Sequence, residues 1–195
     1  METLVALVGF SFVSSVTPGP NNVLLWASGA SYGFRATIRH VLGTALGIGA
    51  MALVVAAGVG TLFTAIPEVG FVMKVGASAY LLYLAYQIAG ARALERGELA
   101  HPLGLAQAAA FQAVNPKAWI FALGAVTAFR PAGYPVLAGS LLVALTMTIV
   151  VVPTAALWAG AGGALSRWIT GDRTRRAVSL TLALLLAATV VYVWI

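Results

Sequence analysis

The chain contains six long apolar stretches separated by short polar segments, and this pattern restricts its fold more than any other feature. A helix that crosses a bilayer needs about 20 consecutive, mostly apolar residues. Only 8% of the 195 residues are charged and 61% are hydrophobic, whereas about 25% of residues are charged in an ordinary soluble domain. The sequence therefore predicts an all-α, polytopic membrane protein of six transmembrane helices. We place these spans at Leu4 to Trp26, Val41 to Ala65, Val69 to Ala89, Leu103 to Phe129, Val136 to Leu165 and Ala177 to Ile195.

The distribution of Lys and Arg predicts the orientation of these spans. The segments that follow the first, third and fifth spans carry eight arginines: Arg35, Arg39, Arg92, Arg96, Arg167, Arg173, Arg175 and Arg176. The opposite side has only Arg130, together with Lys74 a few residues inside the third span. Because cytoplasmic loops carry an excess of Lys and Arg, the arginine-rich side is expected to be cytoplasmic. With six spans, both termini then face outward.

Two proline motifs lie about half a chain length apart. Pro18 and Pro20 come 98 and 96 residues before Pro116 in a chain of 195 residues. Each motif falls in the first span of a three-span half, and since three is odd, the second half enters the membrane in the opposite sense. Inverted repeats of this kind are common in secondary transporters. We expect one transmembrane domain, residues 1–195, built from two inverted halves at residues 1–98 and 99–195.

The proline motifs should interrupt the helices that contain them. Proline lacks an N–H and clashes with the carbonyl four residues earlier, so these three prolines free the carbonyls of Ser14, Val16 and Gln112. Both interruptions lie roughly 20 Å of helix from the start of the span, inside a hydrocarbon core of about 30 Å. Unpaired backbone survives at that depth only inside protein or beside a wet cavity. We therefore expect the two motifs to face each other and form a central polar site.

The chemistry of this site favours a zwitterion. Half-helix N-termini suit a carboxylate, while freed carbonyls suit an ammonium group, and an amino acid carries both. We predict that the substrate-binding residues are those of the two motifs: Thr17, Pro18, Gly19, Pro20, Asn21, Asn22, Asn115, Pro116 and Lys117. Lys117 has two interpretations at this stage, as a contact for the substrate carboxylate or as a structural cap on freed carbonyls.

The acids of the chain restrict both the cargo and its coupling. All five lie in predicted loops or at the chain start: Glu2, Glu68, Glu95, Glu98 and Asp172. A site for a dibasic amino acid or a metal cation should have an anion nearby, so we expect neutral cargo. Because no acid lies within a predicted span, a proton-coupled cycle would have to use His40, Lys117 or a less obvious route.

Several other functions are disfavoured by residue content. The chain has no cysteine and only two histidines, so no thiol chemistry, metal or other cofactor is expected, and the cations form no face for nucleic acid. An intramembrane serine protease needs a general base at membrane depth, and neither histidine is placed to serve, so no enzyme is predicted. A passive channel or facilitator for small polar solutes remains the alternative to a transporter.

Glycines at close spacing predict tight helix packing. Gly43 and Gly47 have the GxxxG spacing that lets helix backbones approach, and Gly76 is a further expected packing position in the third span. Packing within one chain is favoured, with a homodimer seam as the alternative.

Several motifs in order resemble the LysE/RhtB family of amino-acid exporters over essentially the whole chain. They are Thr17-Pro18-Gly19-Pro20-Asn21, Gly33-Phe34-Arg35, Gly43-Thr44-Ala45-Leu46-Gly47, Lys74-Val75-Gly76-Ala77-Ser78-Ala79-Tyr80-Leu81 and Asn115-Pro116-Lys117-Ala118-Trp119. The resemblance implies a bacterial inner-membrane exporter of amino acids or related metabolites, driven by the proton-motive force, with protons as the coupling ion. In an inner membrane, the outward-facing termini predicted from the distribution of Lys and Arg are periplasmic. It looks closer to the homoserine, threonine and leucine branch than to the lysine and arginine branch. The cargo itself does not transfer with the motifs.

Overall fold

The computed structural model describes residues 2–59, 67–89, 102–166 and 171–194. All regular elements within these ranges are helical. They are α1 (Glu2–Val16), α2 (Pro20–Tyr32), α3 (Phe34–Val54) with a π-helical turn at Val55–Val59, α4 (Pro67–Ala89), α5 (Leu105–Phe111) with a 3-10 turn at Gln112–Val114, α6 (Pro116–Phe129), α7 (Val136–Ser166), α8 (Asp172–Ala188) and α9 (Val191–Trp194).

Two helices of the described ranges are each long and apolar enough to cross a bilayer. They are Phe34–Val59 and Val136–Leu165. The pair formed by α1 and α2 meets the same test as one span with a bend of 61°. Shorter apolar helices cover Leu105–Val114, Pro116–Phe129 and Arg176–Ala188. The all-helical class is confirmed for the described residues, and the long apolar helices fit a membrane protein, whereas the number of six spans and their inverted repeat stay predictions. The proposed boundary between the halves, at residues 98 and 99, lies outside the described residues.

Two of the predicted span boundaries differ from the structure. The turn after the first span is the single residue Gly33, whose φ of +80° is a conformation that favours glycine. Arg35 and Arg39 therefore lie in the first turns of α3 rather than in a loop. Their side chains are exposed, while the opposite face of the helix is buried. The last long helix begins at Asp172 rather than at Ala177, and its first turn accommodates a carboxylate because the helix dipole is positive there.

Helix α7 is the centre of the packing, since α1, α2, α3 and α6 all contact it. Its apolar residues join a first buried cluster with those four helices, including Leu25, Phe121 and Met147. A second apolar cluster lies where α2, α4, α5 and α8 meet, around Leu81 and Leu186. Because α2 belongs to both clusters, its N-terminal end is held from two sides.

Glycines allow close backbone contacts at the interface of α3 with α5. A Cβ added to Gly43 would meet the backbone of Leu105, and one added to Gly47 would meet the backbone of Ala109. Gly76 behaves differently: it is exposed, and among the described residues no atom lies within 4 Å of the position of its Cβ. Within the described residues, the structure therefore does not place Gly76 at a contact with another helix.

Candidate functional site

The first break consists of residues 17–19, which separate α1 from α2. The carbonyls that Pro18 and Pro20 free find new donors there. The hydroxyl of Thr17 donates to the carbonyl of Ser14 at 3.0 Å, and the indole Nε1 of Trp158 donates to the carbonyl of Val16 at 3.2 Å. Pro20 then begins α2, a position where its fixed φ suits the helix and its missing N–H is not needed.

Asn22 holds the two sides of the first break together. Its Nδ2 donates to the carbonyl of Ser15 at 2.9 Å and to the carbonyl of Thr17 at 2.7 Å. The side chain is buried in the first turn of α2 and bridges back to the end of α1. The bend between the helices is thus stabilised by a side chain that belongs to the motif itself.

The second break consists of residues 112–115, which separate α5 from α6. The chain leaves α5 through a 3-10 turn and passes through Asn115 in an extended conformation. Asn115 caps α6, since its Oδ1 accepts from the backbone N–H of Lys117 at 3.2 Å. Gln112 is satisfied locally as well, because its carbonyl accepts from the N–H of Asn115 at 3.2 Å.

A buried network of amide and hydroxyl groups connects the two breaks. Asn21 Oδ1 accepts from Gln112 Nε2 at 3.1 Å and from Thr44 Oγ1 at 3.2 Å. Gln112 Oε1 in turn accepts from Asn115 Nδ2 at 3.1 Å. The four side chains are at most 6% exposed. Because a buried polar group without a partner costs about 1–3 kcal/mol, the network keeps α2, α3 and both sides of the second break in register.

Lys117 joins the breaks a second time. Its ammonium donates to the carbonyl and the hydroxyl of Thr17, the latter at 2.9 Å, and to the carbonyl of Pro18 at 3.3 Å. These acceptors stand at the C-terminal end of α1, where the helix dipole favours a cation. A Cβ on Gly19 would lie 2.6 Å from Lys117 Cδ, so the glycine makes room for the lysine side chain. The structure thus shows Lys117 as a cap on the carbonyls of the first break.

A cavity of about 40 Å³ lies between the breaks and the middle of the chain's central helix. Since one water needs at least roughly 10–15 Å³ of such volume, the space suits a few waters and is too small for a whole amino acid. Its wall is mostly polar on the side of the breaks, whereas on the side of α7 it consists of Val151, Ala155 and the polar Thr154. The lining residues are Ser14, Ser15, Gly19, Asn21, Asn22, Thr44, Ile48, Gln112, Asn115, Lys117, Ala118, Phe121, Val151, Thr154 and Ala155.

The predicted site residues meet in this region, in different roles. Five of them line the cavity: Gly19, Asn21, Asn22, Asn115 and Lys117. Thr17 and Pro18 are exposed and contact Lys117 through oxygen atoms. Pro20 and Pro116 are the first residues of α2 and α6. The breaks therefore contact each other, although the first break also reaches the surface of the chain.

Four residues of the cavity wall and the breaks are not among those that the sequence predicted. Thr44, Gln112 and Thr154 are buried polar side chains of the cavity wall, and Trp158 bonds the first break. A signal did exist for Gln112, because an amide inside an apolar helix four residues before a proline is costly unless it is paired. Thr44 lies between two glycines of a packing motif, and nothing in its neighbourhood along the chain distinguishes it from a packing residue.

The described residues contain no group of three or more His, Cys, Asp or Glu side chains that could hold a metal ion. The cavity lining formed by the described residues contains no carboxylate, and Lys117 is the one cation among them. The electrostatics of this lining therefore suit an anionic group and not a second cation.

Comparisons with known proteins agree with this architecture. A family model described as LysE type translocator matches residues 12–195. A cysteine/O-acetylserine efflux protein of Escherichia coli (strain K12) is 31% identical over 121 residues, which is 62% of this chain and 62% of that protein. A protein of the same name from Salmonella typhimurium (strain LT2) is 29% identical over 120 residues, again 62% of each chain. The matched region thus spans 62% of the length of these curated relatives, and no solved structure matches the chain.

Proposed function

We propose, from the premise that this chain belongs to the LysE-type translocator family, that it exports small neutral amino acids or related metabolites from the cytoplasm. The family is one of transporters and not of enzymes. The observation that carries the proposal is the contact of two broken helices at a polar cavity whose lining, in the part of the chain that the structure describes, contains a lysine and no carboxylate. Helix breaks of this kind hold substrate in secondary transporters.

The proposed binding mode uses the two ends of the substrate separately. The substrate carboxylate binds the ammonium of Lys117 and the first-turn N–H groups of α2, which have no acceptor within the helix. The substrate ammonium binds the amide oxygens and backbone carbonyls around Asn21 and Ser15. Binding the carboxylate draws Lys117 away from Thr17 and Pro18, which loosens the contact between the breaks and enlarges a cavity that is too small for the substrate.

The proposed cargo class follows from the cavity and from the relatives. A lining with one cation and no acid disfavours dibasic amino acids, because their second positive charge finds no partner. The relatives named for cysteine and O-acetylserine handle small neutral molecules, and we extend that class to this chain. Homoserine, threonine and leucine belong to the same class of neutral amino acids.

We also propose the membrane arrangement and the energy source. The chain forms six spans in two inverted halves in the bacterial inner membrane, with both termini periplasmic and protons as the coupling ion. The bent pair of α1 and α2 and the interrupted pair of α5 and α6 support the repeat, since both pairs restart at a proline. A passive channel is disfavoured because Lys117 crosses from one break to the other and the space between the breaks is small.

The first test is transport by the purified protein in proteoliposomes. The lumen is made one pH unit more acidic than the medium, and the membrane potential is held at zero with potassium and valinomycin. Radiolabelled cysteine, O-acetylserine, homoserine, threonine and leucine are offered, with arginine as the dibasic control. We expect accumulation of at least one neutral amino acid and none of arginine. Equal levels inside and outside would indicate a facilitator, and no uptake of any of these compounds would contradict the proposal.

The role of Lys117 is tested by Lys117→Met, with Lys74→Met on the exposed face of α4 as the matched control. We expect at least about a tenfold loss of affinity for the amino acid, which corresponds to about 1.4 kcal/mol, because the carboxylate loses its cation. The affinity for the corresponding amino alcohol, which lacks a carboxylate, should change little. Unchanged affinity for the amino acid in a monodisperse Lys117→Met protein would restrict the lysine to capping.

A further inference from the structure

His40 is the most unusual buried residue outside the cavity. It lies in α3 and is 1% exposed, and neither Nδ1 nor Nε2 has a hydrogen-bond partner among the described residues. A neutral imidazole carries one donor and one acceptor, so both of its polar groups are left unpaired. Burying them costs free energy that an apolar side chain of similar size would not. Packing alone therefore does not explain a histidine here.

The position of His40 connects it with the cavity. Thr37, His40 and Thr44 follow one another at spacings of three and four residues, so they share one face of α3, and all three are buried. Thr44, one turn or about 6 Å along the helix axis from His40, bonds Asn21 in the network that joins the breaks. Thr37, on the other side of His40, pairs with the hydroxyl of Ser28 at 3.1 Å. His40 is thus the titratable member of a polar stripe that leads to the cavity.

Charged groups near His40 are few. On α3 itself Arg35 and Arg39 are exposed. The described parts of the helices packed against α3 are α2, α5, α6 and α7, and their titratable groups are Tyr32 of α2 and Lys117 of α6. No carboxylate of these helices faces the imidazole.

Lys117 is the other titratable group available for a proton cycle, but its contacts argue for a different role. Its ammonium is bound by three oxygen atoms of the first break, so its proton is needed to hold the breaks together. The ring of His40 makes no such hydrogen bonds among the described residues, so its protonation state can change without breaking one. Imidazole is also the side chain whose unperturbed charge change falls within about pH 5 to 8.

We propose that His40 binds the coupling proton of this exporter and exchanges it with the cavity along the face of α3 that carries Thr44. This inference rests on the proposed function. In the cycle one proton enters from the periplasmic side, is held on the imidazole and leaves to the cytoplasm as one amino acid moves outward. Uptake forms an N–H bond on the imidazole as an O–H bond of hydronium breaks, and release to water on the cytoplasmic side reverses both changes, so no oxidant, reductant or other group is needed.

The test separates coupling from transport. Proteoliposomes containing wild type, His40→Gln and His40→Leu are compared in two assays with the same radiolabelled neutral amino acid. The first is exchange of internal unlabelled for external labelled substrate without a gradient, and the second is accumulation with a lumen one pH unit more acidic at zero potential. His101→Gln, at the other histidine of the sequence, is the matched control.

For wild type and His101→Gln we expect exchange and an accumulation of up to about tenfold, the limit for one proton per substrate at one pH unit. Both His40 variants should keep exchange while accumulation falls to about onefold. His40→Leu fills the buried space without a polar group and is expected to be at least as resistant to thermal unfolding as wild type, which separates loss of coupling from loss of fold.

Other outcomes are equally informative. Gradient-dependent accumulation that persists in a folded His40→Leu would overturn the assignment of His40 and leave the exporter standing. Wild-type exchange with no response to the gradient would overturn proton coupling and His40 with it. Absence of wild-type exchange for every amino acid of the panel would instead overturn the proposed function.

Discussion

Gln112 is expected to be the residue on which the contact between the two breaks depends most. Its amide makes three bonds: Nε2 donates to Asn21 Oδ1 at 3.1 Å and to the carbonyl of Ala108 at 3.0 Å, and Oε1 accepts from Asn115 Nδ2 at 3.1 Å. Gln112→Met keeps the length and the unbranched shape of the side chain but removes all three. Asn21 Oδ1 retains the hydroxyl of Thr44, whereas Asn115 Nδ2 loses the acceptor that Gln112 supplies.

The expected loss of stability follows from the one donor, Asn115 Nδ2, that Gln112→Met leaves without its acceptor. A buried donor left without a partner costs about 1–3 kcal/mol, while hydrogen bonds between helices in a membrane protein average about 0.6 kcal/mol and reach about 1.7 kcal/mol. We expect Gln112→Met to lower the free energy of unfolding by about 1–2 kcal/mol. Most of this loss should depend on the presence of Asn115.

The assay is a double-mutant cycle on unfolding by sodium dodecyl sulfate in mixed micelles. Wild type, Gln112→Met, Asn115→Ala and the double variant are compared. Asn115→Ala also removes the bond from the backbone N–H of Lys117 to Asn115 Oδ1, but this loss is the same in the single and the double variant and so cancels in the cycle. We expect Gln112→Met to cost about 1 kcal/mol less in the Asn115→Ala background. A coupling energy indistinguishable from zero would refute the bond from Asn115 Nδ2 to Gln112 Oε1, which holds the second break in the shape that presents Gln112 Nε2 to Asn21.

Two further predictions concern the breaks. Gly19→Ala places a Cβ 2.6 Å from Lys117 Cδ and should raise the half-saturating substrate concentration in the exchange assay about tenfold, while Gly9→Ala, where nothing lies within 4 Å, should leave it unchanged. Equal values for the two variants would contradict the close approach of Lys117. Pro116→Ala restores an N–H that can continue the helix and should reduce exchange at least tenfold while yield and monodispersity stay at wild-type levels. Wild-type exchange in Pro116→Ala would show that transport does not need the second break.

The positions of the breaks were predictable because their cause is local. A proline removes one backbone donor and blocks the carbonyl one turn earlier wherever it stands in a helix, so Pro18, Pro20 and Pro116 indicated the ends of α1 and the starts of α2 and α6 without knowledge of the fold. The apolar runs predicted the helical class for a similarly local reason. The family resemblance added an ordered set of motifs, and the match over residues 12–195 confirmed it.

Helix boundaries were less predictable where polar residues continue a helix beyond its apolar part. In a hydropathy pattern, the segment that contains Arg35 and Arg39 is typical of a loop. In the structure their side chains are exposed on one face of α3, and Thr37 and His40 are buried on the other. Gly76 differs from its prediction in another way. Its motif predicted helix packing, but its position in the structure is exposed. The spacing of small residues shows what a helix permits, and the neighbouring helices determine whether it is used.

The sequence by itself determined the class of protein, the two interruptions and the nine residues that gather around them, because each depends on a residue and its neighbours along the chain. Only the tertiary structure decided what those interruptions contact. The bonds from Lys117 to Thr17, 100 residues away, and from Gln112 to Asn21, 91 residues away, arise from the packing of α1 against α6, of α3 against α5, and of α2 and α3 against α7. The unpaired nitrogens of His40 are likewise a property of that packing, because a side chain's partners are set by whatever the fold brings within about 3 Å of it.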